Sequence, residues 1–553
     1  MSPPSKQAVA EDTSAASTKL SDKVTNSTQD SILKYTDISD IPKGVEKLRE
    51  SFFNKQKTLS IQYRLNQLRN VYFIIKDNVD EICAALEKDF HRSVSETKLL
   101  EIHCALSELV HTMANIHKWA KKEPVTDVPV AMKTSPIYIE KCPLGVVLII
   151  SPFNYPFLLS LNAITGALGA GNAVVFKPSE ATPHFSQLFC DLLSEVLDDD
   201  IFFAVNGAVP ETTALLDQKF DKIMYTGNNF VGTIVAKKAA ETLTPVILEL
   251  GGKSPTFVLD DVLDKDIPVI ARRIVWGRFT NGGQTCVAVD YVLAHQSIKD
   301  KLVKEIVKVI NEEFYPKLTA SSPDYTHLIH DKAFSNIKSI IQKSKGKLVT
   351  GGQSDSATNF VAPTVFDDVD WSDATMQQEI FGPVLPILTY TDLKTAIKNV
   401  VRYHDTPLAQ YIFTSGSTKR ENNKQINAIL SSIRSGSTVI NDVVVQAALS
   451  GAPFGGVGNS GYGAYHGVIS FRAFSHERTT MEQKLWNDFA LASRYPPYNA
   501  KKDRLLESSL TEHNDKVWFG RSGNVKVKGP GFFFNLWTGI AGVATLGYYF
   551  ATS

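Results

Sequence analysis

Residues 145–177 read GVVLIISPFNYPFLLSLNAITGALGAGNAVVFK. Val146–Ser151 is an apolar run, Leu158–Leu168 has helical spacing, and Ala173–Phe176 is a second short apolar run. The alternation continues. Phe185–Val196 and Val231–Leu243 read as helices, and Ile201–Val205 and Lys222–Tyr225 as strands. Right-handed crossovers place such helices on both faces of a parallel sheet, so the pattern predicts a doubly wound α/β fold. A second α/β block runs from Ser254 to about Ser437. Upstream, helical periodicity covers Ile41 to Trp119, and Pro124 closes that block. An extended pair, Val125–Ala131 and Ile137–Cys142, bridges the two regions.

The 553 residues suggest three or four folding units at about 150 residues each. With 58 basic and 58 acidic residues the net charge is zero, which argues against a strongly basic nucleic-acid binder. Hydrophobic residues at 43% suffice for sizeable cores and exclude wholesale disorder. Five cysteines, none paired as C-x-x-C, exclude a disulfide scaffold and a cysteine-based structural zinc site; a reducing compartment follows. His103, Cys104, His111 and His117 do not share one helical face, so no metal site is expected.

The two ends differ from the middle. Residues 1–32 are polar, without aromatic residues, and read as a disordered tail. The tail has no apolar h-region, its first arginine is Arg49, and Glu11, Asp12, Asp22 and Asp30 intervene, so neither a secretory signal nor a mitochondrial presequence is expected. Residues 531–552, GFFFNLWTGIAGVATLGYYFAT, carry no charge. At about 1.5 Å per residue they span roughly 33 Å, enough for a bilayer core. Arg521, Lys526 and Lys528 precede them, and Trp537, Tyr548 and Tyr549 suit interfaces. The expectation is a C-terminal transmembrane anchor; a buried helix is the plainer alternative.

Three stretches carry chemistry. In FTNGGQTC (279–286), glycines precede a cysteine. A tight turn there presents a thiol and exposed backbone N–H groups, which suits attack on a carbonyl and stabilisation of the oxyanion. In LELGGKS (248–254), Glu249 sits at an apolar strand end, either as a solvated turn residue or as a general base tuned by burial. In SPFNYP (151–156), Asn154 follows a strand's C-terminal end, where ligands of parallel sheets sit; it is a turn residue or an oxyanion donor.

Together with FKPSE (176–180), YTGNNFVG (225–232), QEIFGPVLP (378–386) and PFGGVGNSG (453–461), these motifs closely resemble the aldehyde dehydrogenase superfamily over roughly Leu48 to Phe474. The pairs and runs at 227–228, 154–156 and 494–498 resemble the class 3 branch, which includes fatty aldehyde dehydrogenases, and within it the fungal membrane-anchored type. The resemblance implies an aldehyde dehydrogenase fold with a Rossmann-like NAD-binding domain (33–250, with oligomerisation strands at 125–142) and an α/β catalytic domain (251–444). A return segment (445–500) would carry a further oligomerisation strand at Val468–Phe474 and a cap at Leu485–Tyr498. A linker (501–528) and the anchor (529–553) would follow.

The resemblance also implies roles. Cys286 is the expected nucleophile, Glu249 the activator of water, and Asn154 the oxyanion amide. Lys177 and Glu180 would meet the adenosine ribose, Gly227 and Gly232 the phosphates, and Glu379 and Phe381 the nicotinamide ribose and ring. Gly-Asn-Asn after Thr226 replaces the commoner Gly-Ser-Thr. Glu180 would accept ribose hydroxyls and repel a 2′-phosphate, which favours NAD while leaving NADP possible. The implied mechanism runs through a thiohemiacetal, hydride transfer to the nicotinamide, and a thioester hydrolysed by water. Tyr155 and Trp276 would line a channel suited to long alkyl chains, since each buried methylene contributes about 0.8 kcal/mol; core packing is an equal reading of Trp276. The expected substrate is a long-chain aliphatic aldehyde, with aromatic or medium-chain aldehydes as the alternative and an inactive membrane-tethered scaffold as the competing class. A homodimer facing the cytosol from the mitochondrial outer membrane, endoplasmic reticulum or lipid droplet completes the expectation.

Overall fold

The computed structural model describes residues 32–128, 132, 135–510 and 522–525. All but Ile32 of the expected N-terminal tail, and the expected anchor, lie outside these residues. Among the described residues no helix is long and apolar enough to cross a membrane. The chain divides into two units, residues 1–119 with 143–475 and residues 120–142 with 476–553.

The larger unit holds two large sheets and a two-stranded ribbon, Ser354–Asp355 with Phe360–Val361. The first is built from β1 (Val146–Ile150), β2 (Ala173–Lys177), β3 (Phe202–Ala204), β4 (Lys222–Gly227) and β5 (Val246–Leu250). The second is built from β6 (Pro255–Val258), β7 (Tyr291–His295), β8 (Lys347–Thr350), β9 (Thr364–Asp367), β10 (Val384–Tyr390), β11 (Ala409–Phe413) and β12 (Ser437–Ile440). A late strand, β13 (Gly461–Tyr462), returns to the first sheet. The orders are β13-β5-β4-β1-β2-β3 and β8-β9-β10-β7-β6-β11-β12. β13 on β5 and β8 on β9 are antiparallel, and the other pairs are parallel.

These strands are apolar on both faces because helices cover both sides. Val146–Ile150 and Ala173–Lys177 are buried throughout. The helix between them, Pro156–Ala170, starts with proline at its first turn and is buried at every position. Helices at Asp40–Lys55, Ile61–Asp77, Val79–Phe90 and His103–Trp119 match the upstream helical expectation.

In the first sheet the chain runs β1, β2, β3 to one side and then returns through β4 and β5 on the other. The reversal between β1 and β4 is the switch point at whose C-terminal edge doubly wound sheets bind ligands. Register places Ile150 beside both Lys177 and Tyr225, and Thr226 beside Glu249. The candidate residues on four strands or the loops just beyond them therefore gather at one edge.

The smaller unit contains a three-stranded sheet, Glu123–Pro124, Ile137–Pro143 and Ser475–Met481. Two expectations are corrected. The first strand is Glu123–Pro124, not Val125–Ala131: residues 125–128 have no regular structure, and 129–131 lie outside the described residues. Val468–Phe474 is not a strand, because Gly467–Ala473 is helical and buries Gly467, Ser470 and Phe471. That spacing is one helix face. The Gly467 N–H donates to Glu108 at 2.5 Å and the His466 N–H to the Ser470 hydroxyl at 2.7 Å, which anchors the first turn. The strand follows it, at Ser475–Met481.

Candidate active site

Cys286 follows a turn that only a glycine-rich sequence makes cheaply. Asn281, Gly282 and Gly283 all have positive φ, at 56°, 59° and 74°. A Cβ on Gly282 would lie 2.7 Å from the Thr326 carbonyl oxygen, and one on Gly283 only 2.3 Å from that of Gly382. The Gln284 side chain fixes the turn from within, donating to the Asn281 carbonyl at 3.1 Å and the His327 carbonyl at 3.0 Å, and accepting from the Ile329 N–H at 3.0 Å. Two residues on, Cys286 keeps some solvent exposure.

Glu249, at the C-terminal end of β5, lies close enough to the Cys286 thiol for each group to shift the other's pKa. Burial pushes its pKa from 4.5 up to about 7, opposed by hydrogen bonds from Cys286, Thr226 and Tyr465. The Tyr465 hydroxyl donates to Oε2 at 3.4 Å, and Oε1 has no partner. The Cys286 thiol is pushed well up, first by burial and then by the charges of Glu249 and Glu379. Two adjacent anions are disfavoured here, so a thiolate forms most readily by passing its proton to Glu249.

Asn154 is buried in the loop after β1. Its side-chain amide donates to the Gln284 carbonyl at 3.1 Å, leaving a second N–H on the same nitrogen. The nucleophile turn and the Asn154 loop are thus in direct contact. Tyr155 is also buried, with its hydroxyl 2.7 Å from that of Thr285. Trp276 is partly exposed on the helix Ile267–Phe279.

Lys177 ends β2 with its ammonium buried, donating to the Pro178 carbonyl at 2.8 Å and to Glu180 at 2.9 Å. The Glu180 carboxylate is 43% exposed. Gly227 ends β4, and Gly232 lies buried in the helix Asn229–Glu241, whose first turn Asn228 caps. Phe381 has a φ of 51° and meets Phe153 edge-on at 5.8 Å. Burial and the nearby Asp290 charge raise the Glu379 pKa to about 8, and its Oε1 is a buried oxygen with no partner. An ammonium beside a ribose-compatible carboxylate, a helix start, and an unsatisfied buried oxygen against Gly251 fit a dinucleotide.

The sequence reading passed over several residues that shape this site. Tyr465 is 216 positions from Glu249, and Arg92 and Glu96 reach the nucleophile turn from the upstream region, with Glu101 paired to Arg92. No local pattern flags such partners. The group of Asp198, Asp199 and Asp200 is the one metal-compatible cluster among the described residues, and Lys55 and Lys57 already neutralise it.

A family model described as the aldehyde dehydrogenase family matches residues 13–480. The chain belongs to the aldehyde dehydrogenase family and is an NAD(P)-dependent aldehyde dehydrogenase. It is 42% identical over 511 residues to "Fatty aldehyde dehydrogenase HFD1" of Saccharomyces cerevisiae, covering 90% of this chain and 94% of that one. It is also 42% identical to "Aldehyde dehydrogenase, dimeric NADP-preferring" of Rattus norvegicus, covering 84% of this chain and 100% of the relative. Among solved structures, a substrate-bound Staphylococcus aureus AldH superposes with a TM-score of 0.79 at 36% identity, covering 84% of this chain and 98% of that one.

Proposed function

We propose that this enzyme oxidises long-chain aliphatic aldehydes to carboxylic acids, using Cys286 as nucleophile and Glu249 as base. The observation that carries the reading is a buried carboxyl, Glu249, with one unpartnered oxygen, near enough to the Cys286 thiol to act on its charge. Kinship with a fatty aldehyde dehydrogenase along 511 residues supports the substrate class.

Glu249 takes the proton from the Cys286 thiol, and the sulfur adds to the aldehyde carbon. The free N–H of the Asn154 amide and the Cys286 backbone N–H hold the resulting oxyanion. Lys177 and Glu180 would hold the adenosine ribose, Gly227 and Gly232 would leave room for the phosphates, and Glu379 and Phe381 would hold the nicotinamide end. When bound, NAD or NADP supplies the oxidation by accepting a hydride from the substrate carbon. Cys286 is then a thioester. Glu249 releases the thiol's proton to solvent and, ionised again, removes a proton from water as the water oxygen adds to the acyl carbon. The C–S bond breaks, the acid leaves, and the thiol is restored. Intact Cys286, Glu249 and Asn154 argue against an inactive scaffold. The Glu180 carboxylate disfavours a 2′-phosphate, so NAD is the preferred cofactor.

Tyr155 and Trp276 are assigned to the substrate channel. The uncharged segment 531–552 supports an anchor at 529–553, with the catalytic part facing the cytosol. A homodimer built on the Ile137–Pro143 sheet element completes the reading.

The test is kcat/KM for NAD-linked oxidation across aldehydes of increasing chain length, with the full chain and with a form ending at Lys528. Each added methylene should raise kcat/KM by up to about fourfold until the channel is filled, the equivalent of about 0.8 kcal/mol. A maximum on aromatic or short aldehydes defeats the long-chain reading and favours its alternative. The shortened form should lose membrane sedimentation; if it still pellets, the anchor is elsewhere.

A further inference from the structure

Arg92 is fully buried, and every atom of its guanidinium is occupied. Nη1 pairs with the Glu101 carboxylate, Nη2 donates to the Asn154 carbonyl oxygen and to Asn281 Oδ1 at 2.6 Å, and Nε donates to the same Asn281 oxygen at 3.2 Å. Glu101 is held in turn by the Phe157 and Leu158 N–H groups at 2.7 and 2.9 Å, at the start of the helix that follows Asn154. Asn281 passes the contact on. Its amide donates to the Asn154 carbonyl at 2.9 Å and to the Gln284 carbonyl at 3.0 Å, and its backbone N–H donates to Glu96 at 2.6 Å.

A buried ion pair is often no more than scaffold. This one differs in what it grips. Nη2 holds the backbone of Asn154, whose side chain faces the nucleophile turn. With Nε it also holds Asn281, which opens that turn five residues before Cys286. The Gln284 carbonyl is then pinned by two amides, those of Asn154 and Asn281. One planar cation therefore sets the spacing between the oxyanion donor and the sulfur, and its fork cannot be reproduced by a point charge.

We propose that Arg92 is a positioning residue for the oxyanion hole, fixing the Asn154 amide against the Cys286 turn without touching substrate. The proposal rests on the roles given above to Cys286 and Asn154. It is tested in the full-length enzyme with Arg92→Gln and Arg92→Lys, alone and combined with Asn154→Ala. Arg92→Gln should lower kcat by about 10²-fold, as loss of an oxyanion donor does, with KM for the aldehyde changed by less than about threefold. Arg92→Lys should restore part of the rate, leaving it about tenfold below native, since it keeps the charge and loses the fork. On the Asn154→Ala background, Arg92→Gln should cost less than about threefold more, because the two act as one unit.

A folded Arg92→Gln enzyme with native kcat overturns the proposal, as does the same hundredfold loss with and without Asn154. If Arg92→Gln does not fold, a native kcat in Arg92→Lys overturns it equally. Full activity in Cys286→Ala or Asn154→Ala would instead defeat the underlying site assignment.

Discussion

Two buried polar clusters in the larger unit make opposite use of charge. At Asp290, burial raises the carboxyl pKa, but Lys253 at 2.5 Å and Arg278 at 2.9 Å more than offset it, and the pKa falls below its ordinary value. The Ile380 N–H adds a further contact at 3.2 Å. At Glu249 burial acts with no cation against it, and at Glu379 Lys253 and Arg278 only partly offset burial and the Asp290 charge; the values rise to about 7 and about 8. Both carboxyls keep an oxygen with no partner. The difference teaches where this fold holds shape and where it holds reactivity. A carboxylate matched by two cations stays charged at any working pH, whereas an unmatched one sits near the pH at which a proton can be taken and returned.

The contrast is open to attack by substitution. Cys286→Ala should abolish aldehyde-dependent NADH formation, with a loss of at least about 10⁴-fold, while the protein still folds. Retained turnover would move the chemistry to the wrong cluster. Glu249→Gln should lower kcat by about 10²–10⁴-fold. Its effect on stability should have the other sign. The folded pKa near 7 lies above the ordinary 4.5, so the fold favours the neutral acid, and stability is lost as pH rises through that interval. The glutamine variant should therefore melt higher than native at pH 8 and no higher at pH 4. An unchanged melting difference between the two pH values would mean that Glu249 is not strained by burial.

Asp290→Asn should do the reverse, leaving Lys253 and Arg278 unmatched and destabilising the fold by about 3–5 kcal/mol in a denaturant titration. Gly251→Ala probes the second unmatched carboxyl. A Cβ there would lie 2.0 Å from Glu379 Oε2, so Glu379 must move. We expect KM for the dinucleotide to rise by about tenfold or more, the equivalent of one lost charge-assisted contact. The smallest effect is a pH profile: the acid limb of kcat/KM should titrate near 7 and shift in Tyr465→Phe, which removes the hydroxyl on Glu249.

Much of the fold was legible because it is local. Val146–Ile150, Pro156–Ala170 and Ala173–Lys177 each show their character within a few residues, and the glycines before Cys286 announce a turn. One error has a clear cause. Val468–Phe474 has spacing compatible with either a strand or a helix, and what decides it is the contact of Gly467 with Glu108, 359 residues away. The roles proposed for Cys286 and Glu249 came from motifs, but nothing nearby in sequence marks Arg92, which is 189 positions from Asn281. Long-range pairing is set by the closed fold, not by a pattern along the chain.

The close approach of Gly283 to the Gly382 carbonyl has a mechanical consequence. The strip bearing Glu379 and Phe381 and the turn presenting the sulfur are pressed together with no side chain between them. They move as one piece. Redesign for a bulkier coenzyme analogue by displacing that strip will drag the thiol with it, so such engineering should begin instead from the adenosine side, at Glu180, whose carboxylate is 43% exposed.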